Sequence, residues 1–246
     1  MLVMKFGGTS VGTPEAIQRT AHIIQTARVS EPVVAVVSAL SGVTDTLIEL
    51  GQSAQQRAAD PEIALTRLYE HHATCCRALN LDPEPILEPL ETLSEVIRGV
   101  YMLRELTPRS ADFIVGHGEL LSSRIVSGYL ESIEVPSMPV TGWELGITTD
   151  ANHGAASVLP MTYDRVPENM IAYEQYIPIV TGFVGLSECG ERTTLGRGGS
   201  DYTAAIIGKA LGASEIQIWT DVAGIYTTDP RVVPTAHSIP TVSFQE

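Results

Sequence analysis

The sequence predicts an α/β protein with a mostly parallel central sheet and helices on both faces. Val33 to Val37 is continuously apolar and β-branched, which is typical of a strand buried on both faces of a parallel sheet. Strand-like and helix-like segments alternate along the chain, as crossover connections between parallel strands require. At 246 residues with 44% hydrophobic side chains, the chain is also long enough to bury a sizeable core.

The first elements are a strand, a glycine turn and a helix. Val3 to Phe6 is a short apolar strand, and Gly7 to Gly12 forms the turn that follows it. Thr13 and Pro14 then provide an N-cap with proline at the first helical position. The helix carries a repeating pattern that packs one face on the sheet, with Ile17, Ala21, Ile24 and Arg28.

The segment from Asp45 to Tyr129 is predicted to be mainly helical, with four prolines as punctuation at positions 61, 83, 85 and 108. An apolar stripe with alternating four- and three-residue spacing comprises Ile86, Leu90, Leu93, Ile97 and Val100. The stripe has two interpretations, since this spacing suits either the core or a contact with a partner helix in a dimer.

Strand character returns at Ile133 to Val140, Ile177 to Phe183 and Ile216 to Thr220. Gly196 to Gly199 lies between the last two strands and precedes a predicted helix from Tyr202 to Leu211. A single doubly wound unit over residues 1–246 is therefore the preferred architecture, with a domain boundary near residue 145 as the alternative.

Charge and composition narrow the classes of partner. Fifteen basic and twenty-nine acidic residues give a net charge of −14, which opposes binding to the phosphates of nucleic acids. No apolar run approaches the roughly 20 residues of a membrane span, and the N-terminus does not resemble a signal peptide. Three cysteines without a disulfide framework favour a reducing compartment, so we expect a cytoplasmic protein with neither nucleic acid nor membrane as partner.

A histidine and cysteine cluster, His71, His72, Cys75 and Cys76, has the spacing of metal ligands one helical turn apart. Half-buried cysteines on a helix more commonly act as small hydrophobic residues. We therefore predict no metal site in the protein itself.

Two glycine-rich loops carry the chemistry that the sequence offers. In Lys5 to Ser10, backbone amides exposed by glycine can hold phosphate oxygens while Lys5 supplies a positive charge. In Thr193 to Asp201, Ser200 or Asp201 can cap the following helix, whose free amides lie beside Arg197. Neither loop is a Walker A motif, and no dinucleotide fingerprint or catalytic triad occurs, which leaves phosphate handling as the favoured chemistry.

Five motifs span the chain, and they are Lys5 to Gly12, Val37 to Thr44, Gly118-Glu119, Thr194 to Asp201 and Trp219 to Arg231. Together they resemble the motifs of aspartokinases, within the amino-acid kinase superfamily. The match covers the chain in order from end to end, and motifs of eight or more residues are far more specific than one glycine loop.

The resemblance implies transfer of the γ-phosphoryl group of MgATP to the side-chain carboxylate of L-aspartate. The product would be 4-phospho-L-aspartate, on the route to lysine, threonine and methionine. The alternatives are an inactive fragment that binds nucleotide or amino acid, and another amino-acid kinase such as glutamate or acetylglutamate kinase. The resemblance also implies ATP and Mg²⁺ as cofactors and a homodimer.

By resemblance, Lys5 contacts the transferred phosphate as an electrostatic stabiliser, above a loop shaped by Gly7, Gly8 and Ser10. Asp201 organises nearby cationic groups. The substrate's α-amino group pairs with Glu119 and its α-carboxylate with Arg197. The remaining substrate contacts are assigned to Ser38, Thr44, Gly198, Gly199 and Ser200, and the nucleotide contacts to Thr220, Asp221, Tyr226, Asp229 and Arg231.

The family pattern continues beyond Glu246 into a helix, a further phosphate-binding lysine and regulatory domains. The resemblance therefore implies that these 246 residues are part of a longer catalytic protein.

Overall fold

A five-stranded, entirely parallel sheet forms the centre of the molecule. The structure is a computed structural model and describes residues 1–222 and 224–243. The strands are β1 (Leu2–Phe6), β2 (Val33–Val37), β3 (Ser137–Val140), β4 (Thr148–Thr149), β5 (Ile177–Thr181), β6 (Val184–Ser187), β7 (Arg192–Thr194) and β8 (Glu215–Trp219). The central sheet has the order β3-β5-β2-β1-β8, and a smaller sheet has the order β4-β6-β7. The predicted α/β class is therefore confirmed.

Helices cover both faces of the central sheet. They are α1 (Gly8–Val11), α2 (Pro14–Arg28), α3 (Val43–Gln56), α4 (Pro61–Ala78), α5 (Leu87–Leu103), α6 (Pro108–Val115), α7 (His117–Ser132), α8 (Gly142–Leu145), α9 (Thr162–Met170) and α10 (Gly199–Ala210). Single 3₁₀ turns occur at Glu84–Ile86 and Ile171–Tyr173. Helix α2 begins as predicted, since the Thr13 hydroxyl accepts a hydrogen bond from the Ala16 N–H and Pro14 follows the cap.

The alternation of side chains along the strands divides the core in two. Leu2, Met4 and Phe6 of β1 belong to the larger cluster, while Val3 belongs to the cluster on the opposite face. The apolar stripe of α5 and the preceding turn lies wholly in the larger cluster, because Ile86, Leu90, Leu93, Ile97 and Val100 are all buried there. These five side chains are core residues, so the stripe is not a surface for a partner.

The predicted start of one strand is corrected, and the alternative domain boundary is not supported. Strand β3 begins at Ser137 rather than Ile133, because Ile133 ends α7 and Glu134 adopts a positive φ of 62° in the turn before Pro136. Strands from both sides of residue 145 are neighbours in one sheet, since β5 pairs with both β3 and β2. This pairing argues against a boundary at residue 145; residues 244–246 of the predicted domain lie outside the described part.

The cysteines of α4 are core residues. Cys75 and Cys76 are buried in the larger cluster, and burial raises the pKa of each thiol to about 11. His72 is also buried, with its Nδ1 atom 2.8 Å from the Leu68 carbonyl oxygen. These contacts favour the interpretation of the cysteines as small hydrophobic residues. Within residues 1–222 and 224–243, no helix combines the length and apolar character that a membrane crossing needs.

Candidate active site

A cleft of about 580 Å³ opens at the carboxyl ends of the central strands, where ligands bind in open α/β sheets. It collects residues from β1, the loop after β2, the first turns of α3 and α7, and the loop that leads into α10. Predicted site residues that line it are Lys5, Ser38, Thr44, Glu119, Arg197, Gly198, Gly199, Ser200 and Asp201.

Lys5 and Asp201, which both line the cleft, form an ion pair. Val3 packs on the side of β1 that faces α10, and Lys5, two residues further on, points the same way. Its Nζ atom lies 2.6 Å from Oδ1 of Asp201, in the first turn of α10. The Lys5 side chain is 12% exposed and that of Asp201 is 52% exposed, and both residues line the cleft.

The N-terminus of α10 differs from the predicted one. The N-cap is Gly198, which adopts a left-handed conformation with φ of 74°, and neither Ser200 nor Asp201 caps the helix. The helix begins at Gly199, three residues before the predicted Tyr202. Glycine suits this left-handed position, because it has no Cβ atom. Since Asp201 does not cap the helix, its carboxylate is available for the ion pair with Lys5.

Glu119 is a buried carboxylate with a free oxygen. Its Oε1 atom accepts a hydrogen bond of 3.1 Å from the Ala39 N–H, while Oε2 has no partner among the described residues. Burial raises the pKa of Glu119 from near 4.5 to about 8. Gly118 permits this position, because a Cβ atom there would lie 2.6 Å from the Ala39 side chain. A desolvated carboxylate of this kind is suited to an ammonium group.

Arg197 also lines the cleft and is exposed in the loop between β7 and α10. Its guanidinium forms no hydrogen bond or ion pair with residues 1–222 or 224–243. Ser38 and Thr44 lie on the loop and helix that follow β2, and the Ser38 carbonyl is fixed by the Ser122 hydroxyl at 2.8 Å. The cleft therefore places a free cation and hydroxyl groups around a buried carboxylate.

Sequence reasoning did not predict Phe183, which also lines the cleft. Phe183 has a positive φ of 69°, a conformation that non-glycine residues rarely adopt. Its N–H donates to the Thr203 hydroxyl at 3.0 Å, and its carbonyl accepts from the Leu195 N–H at 2.9 Å. These hydrogen bonds offset the strain of the positive φ. No local sequence signal indicates that Phe183 adopts this conformation.

Asp112 of α6 is a second residue that sequence reasoning missed. It is 4% exposed and accepts hydrogen bonds from the Gly154 N–H, from both the N–H and the hydroxyl of Thr194, and from His153 Nδ1. Gly154 lines the cleft and Thr194 begins the loop that carries Arg197. Asp112 thus fixes the wall of the cleft from behind.

We expect Asp112→Asn to lower the free energy of unfolding by about 2–4 kcal/mol, because an amide nitrogen would face a buried donor. Urea unfolding followed by circular dichroism measures the change. The exposed Asp164→Asn variant is the matched control, with an expected change below about 1 kcal/mol. Equal stability of the two variants would contradict the assigned role.

The predicted nucleotide residues fall in two places. Thr220 and Asp221 share a separate groove of about 260 Å³ with Ser10, beside the Gly7 N–H, which donates to the Trp219 carbonyl at 3.1 Å. Gly7 lies between this groove and Lys5, because a Cβ atom there would be 3.6 Å from Lys5 Nζ and 3.7 Å from the Trp219 carbonyl oxygen, and Gly8 begins α1. The other three residues do not line either space: Tyr226 bridges to Ser238, and Asp229 pairs with Arg231 at 2.9 Å. Ala223, within the same motif, lies outside the described residues.

Fold and cleft together define an α/β protein with a polar, charged cleft at the carboxyl ends of a parallel sheet. The sequence pattern of the amino acid kinase family matches residues 1–246, and the chain belongs to that family.

Relatives and solved structures agree on the subgroup. The chain is 39% identical to "Aspartokinase 1, chloroplastic" of Arabidopsis thaliana over 99% of its length and 44% of the relative, and 34% identical to an aspartokinase of Geobacillus stearothermophilus over 100% and 48%. It superposes on Escherichia coli aspartokinase III, crystallised with aspartate and ADP, with a TM-score of 0.84 and 32% identity over 97% of this chain and 53% of that one. The chain thus spans about half the length of the curated relatives it matches.

Proposed function

We propose that this chain holds the catalytic site of an aspartate kinase, which transfers the γ-phosphoryl group of ATP to the side-chain carboxylate of L-aspartate. The observation that carries the proposal is the cleft itself, which Lys5 lines together with a buried carboxylate, Glu119, and a free guanidinium, Arg197. The similarity to a kinase crystallised with aspartate and ADP supports the same reaction.

Glu119 and Arg197 orient the amino acid in this proposal. The free Oε2 atom of Glu119 receives the α-ammonium group, and the guanidinium of Arg197 binds the α-carboxylate through two parallel hydrogen bonds. The side-chain carboxylate then points towards Lys5. Ser38, Thr44 and the backbone from Gly198 to Ser200 supply the remaining polar contacts.

The reaction needs positioning and charge neutralisation more than covalent assistance. An oxygen of the aspartate side chain, already ionised at neutral pH, forms the new bond to the γ-phosphorus without a general base. The bond from that phosphorus to its bridging oxygen breaks, and ADP leaves with the electron pair. Lys5, fixed by Asp201, stabilises the negative charge on the transferred group.

The nucleotide lies, in this proposal, along the Lys5 to Ser10 loop towards Thr220 and Asp221, with Tyr226, Asp229 and Arg231 as further contacts. The exposed carboxylates of Asp45 and Asp201 at the cleft would hold Mg²⁺, which prefers hard oxygen ligands and would supply positive charge to the ATP phosphates. The fit of these donors supports a metal that arrives with ATP.

The wider setting is proposed on the same basis. An aspartate kinase supplies 4-phospho-L-aspartate for amino-acid biosynthesis, including lysine, threonine and methionine. A cytoplasmic location and a homodimer remain predictions.

We expect Arg197→Ala to raise the aspartate KM by about 30-fold, equivalent to about 2 kcal/mol for a lost charged hydrogen-bond pair. Initial rates at varied aspartate concentration measure it. Arg67→Ala, which removes an exposed arginine from α4, is the matched control and should leave the KM unchanged. An Arg197→Ala protein with unaltered aspartate KM and kcat would exclude the proposed carboxylate contact.

The proposed function is tested by trapping the acyl phosphate with hydroxylamine in the presence of MgATP. Hydroxamate formation with L-aspartate, and not with L-glutamate or N-acetylglutamate, is the expected result. Calorimetric titration with L-aspartate and an MgATP analogue accompanies the assay. Binding without turnover would support the proposed site but would show that catalysis also needs residues outside this chain. Binding of neither ligand would overturn the proposal.

A further inference from the structure

A second cavity of about 490 Å³ lies away from the proposed catalytic cleft and shares no lining residue with it. Its walls come from α6, from α8 and from the hairpin that joins β6 to β7. The apolar part of the wall includes Phe113, Trp143 and Leu186, and the polar part includes Arg109, Glu191 and Arg192.

Arg192 is the unusual member of this wall. Its guanidinium carbon lies 4.3 Å from the centre of the Phe113 ring and 4.9 Å from that of the Trp143 ring. The side chain forms no hydrogen bond or ion pair with any residue in the ranges 1–222 and 224–243, and its Nη1 atom is buried. A guanidinium group has five N–H donors and no acceptor, so Arg192 brings to the cavity wall hydrogen-bond donors that no described residue satisfies.

Neighbouring carboxylates do not neutralise Arg192. Glu191 uses one oxygen for Arg109, at 3.0 Å, and the other for His153, at 3.3 Å. Burial lowers the pKa of Arg192, with only a smaller opposing effect from Glu88. Contact with two aromatic faces compensates the half-buried cation in part, while its N–H donors still lack an acceptor among the described residues.

We propose that this cavity binds a small organic carboxylate with a flat apolar body. The carboxylate would accept two hydrogen bonds from Arg192, and the body would pack among Phe113, Trp143 and Leu186. The guanidinium lies against two aromatic rings, and its planar fork can bind a planar carboxylate through two parallel hydrogen bonds. The inference does not depend on the proposed kinase activity.

The experiment uses the wild-type chain and residue-resolved modification of arginine by phenylglyoxal, quantified by peptide mass spectrometry. Benzoate is the probe, benzamide is its uncharged counterpart and inorganic phosphate is an anion without an apolar body. We expect benzoate to protect Arg192 from modification, with little protection by benzamide at the same concentration and weaker protection by phosphate. Arg67, which is exposed, should react equally in all three cases.

A calorimetric titration with benzoate adds a variant test. It uses the Arg197→Gln background, so that the catalytic cleft does not contribute a second guanidinium. Adding Arg192→Gln should weaken benzoate binding at least tenfold, as expected for loss of a charged hydrogen-bond pair. Adding Arg67→Gln, which removes the same charge from the surface, should have no effect.

Three outcomes would overturn the inference. Equal protection by benzamide would show that binding does not need a negative charge opposite Arg192. Stronger protection by phosphate would show that binding does not need an apolar body against the aromatic wall. If Arg192 is protected in the absence of any ligand, and this protection disappears when the protein is diluted, the cavity lies at a contact between two copies of the chain. Because the modification experiment needs no variant, misfolding of Arg192→Gln would leave the test intact.

Discussion

Lys5→Met is expected to lower the kcat for aspartate-dependent phosphoryl transfer by about 10²–10³-fold, as for removal of one preorganised donor at a developing charge. Methionine keeps the apolar stem of the side chain within β1 but removes the ammonium group that pairs with Asp201 at 2.6 Å. The hydroxylamine trap under saturating aspartate and MgATP measures the rate. The aspartate KM should change far less, since Lys5 acts on the transferred group rather than on the α-amino or α-carboxylate group.

The chain provides a matched control for this variant, because its other lysine is Lys209. Lys209 lies near the C-terminal end of α10, with its Nζ atom 4.4 Å from the centre of the Tyr163 ring. Lys209→Met removes the same charge and should retain wild-type kcat. If both variants lose activity equally, or Lys5→Met retains more than about a tenth of it, Lys5 does not stabilise the transition state.

The central sheet was predictable because local and long-range preferences agree. Val33 to Val37 has β-branched residues at every position but one, and the same residues are buried on both faces of the sheet. Thr13 and Pro14 fix the start of α2 through purely local contacts. The start of β3 was not predictable, since Ile133 is apolar in either state and only the packing of α7 decides where the helix ends.

The site could be predicted where it rests on glycine loops and charged side chains. Lys5 and Asp201 are 196 positions apart in the sequence. They form an ion pair because α10 packs on β1 with its first turn beside the end of the strand. The strained Phe183 and the buried Asp112 gave no such signal, because their roles depend on hydrogen bonds to residues distant in sequence. The free oxygen of Glu119 likewise follows from packing alone.

Glu119→Gln is expected to abolish most aspartate binding while stabilising the empty protein at alkaline pH. Loss of the charged partner for the α-ammonium group should weaken binding by about 2–3 kcal/mol. The pKa of Glu119 is raised from near 4.5 to about 8, so the folded protein holds a proton that the unfolded chain releases. Wild-type stability therefore falls as pH rises through this window, by on the order of 4 kcal/mol in total.

Unfolding by urea at pH 5 and pH 9 measures this effect. The loss of stability between the two values should be smaller for Glu119→Gln than for wild type by on the order of 4 kcal/mol, because glutamine has no charge to desolvate. Subtracting the change in the variant from the change in wild type cancels the titration of the other groups, which both proteins share. Glu131→Gln, an exposed carboxylate near the end of α7, should keep the wild-type pH dependence.

The same raised pKa predicts that aspartate binding releases a proton. At pH 7 Glu119 is mainly protonated in the empty cleft, since its pKa is about 8, whereas an ammonium group beside Oε2 favours the ionised form. The apparent binding enthalpy should therefore vary between phosphate and Tris buffers in proportion to their ionisation enthalpies. Release should approach one proton at pH 7 and disappear at pH 9. A buffer-independent enthalpy at pH 7 would mean either that Glu119 is already ionised in the empty cleft or that the ammonium group binds elsewhere. The urea experiment separates these explanations. If Glu119 is already ionised, the stability of wild type should change between pH 5 and pH 9 as much as that of Glu119→Gln.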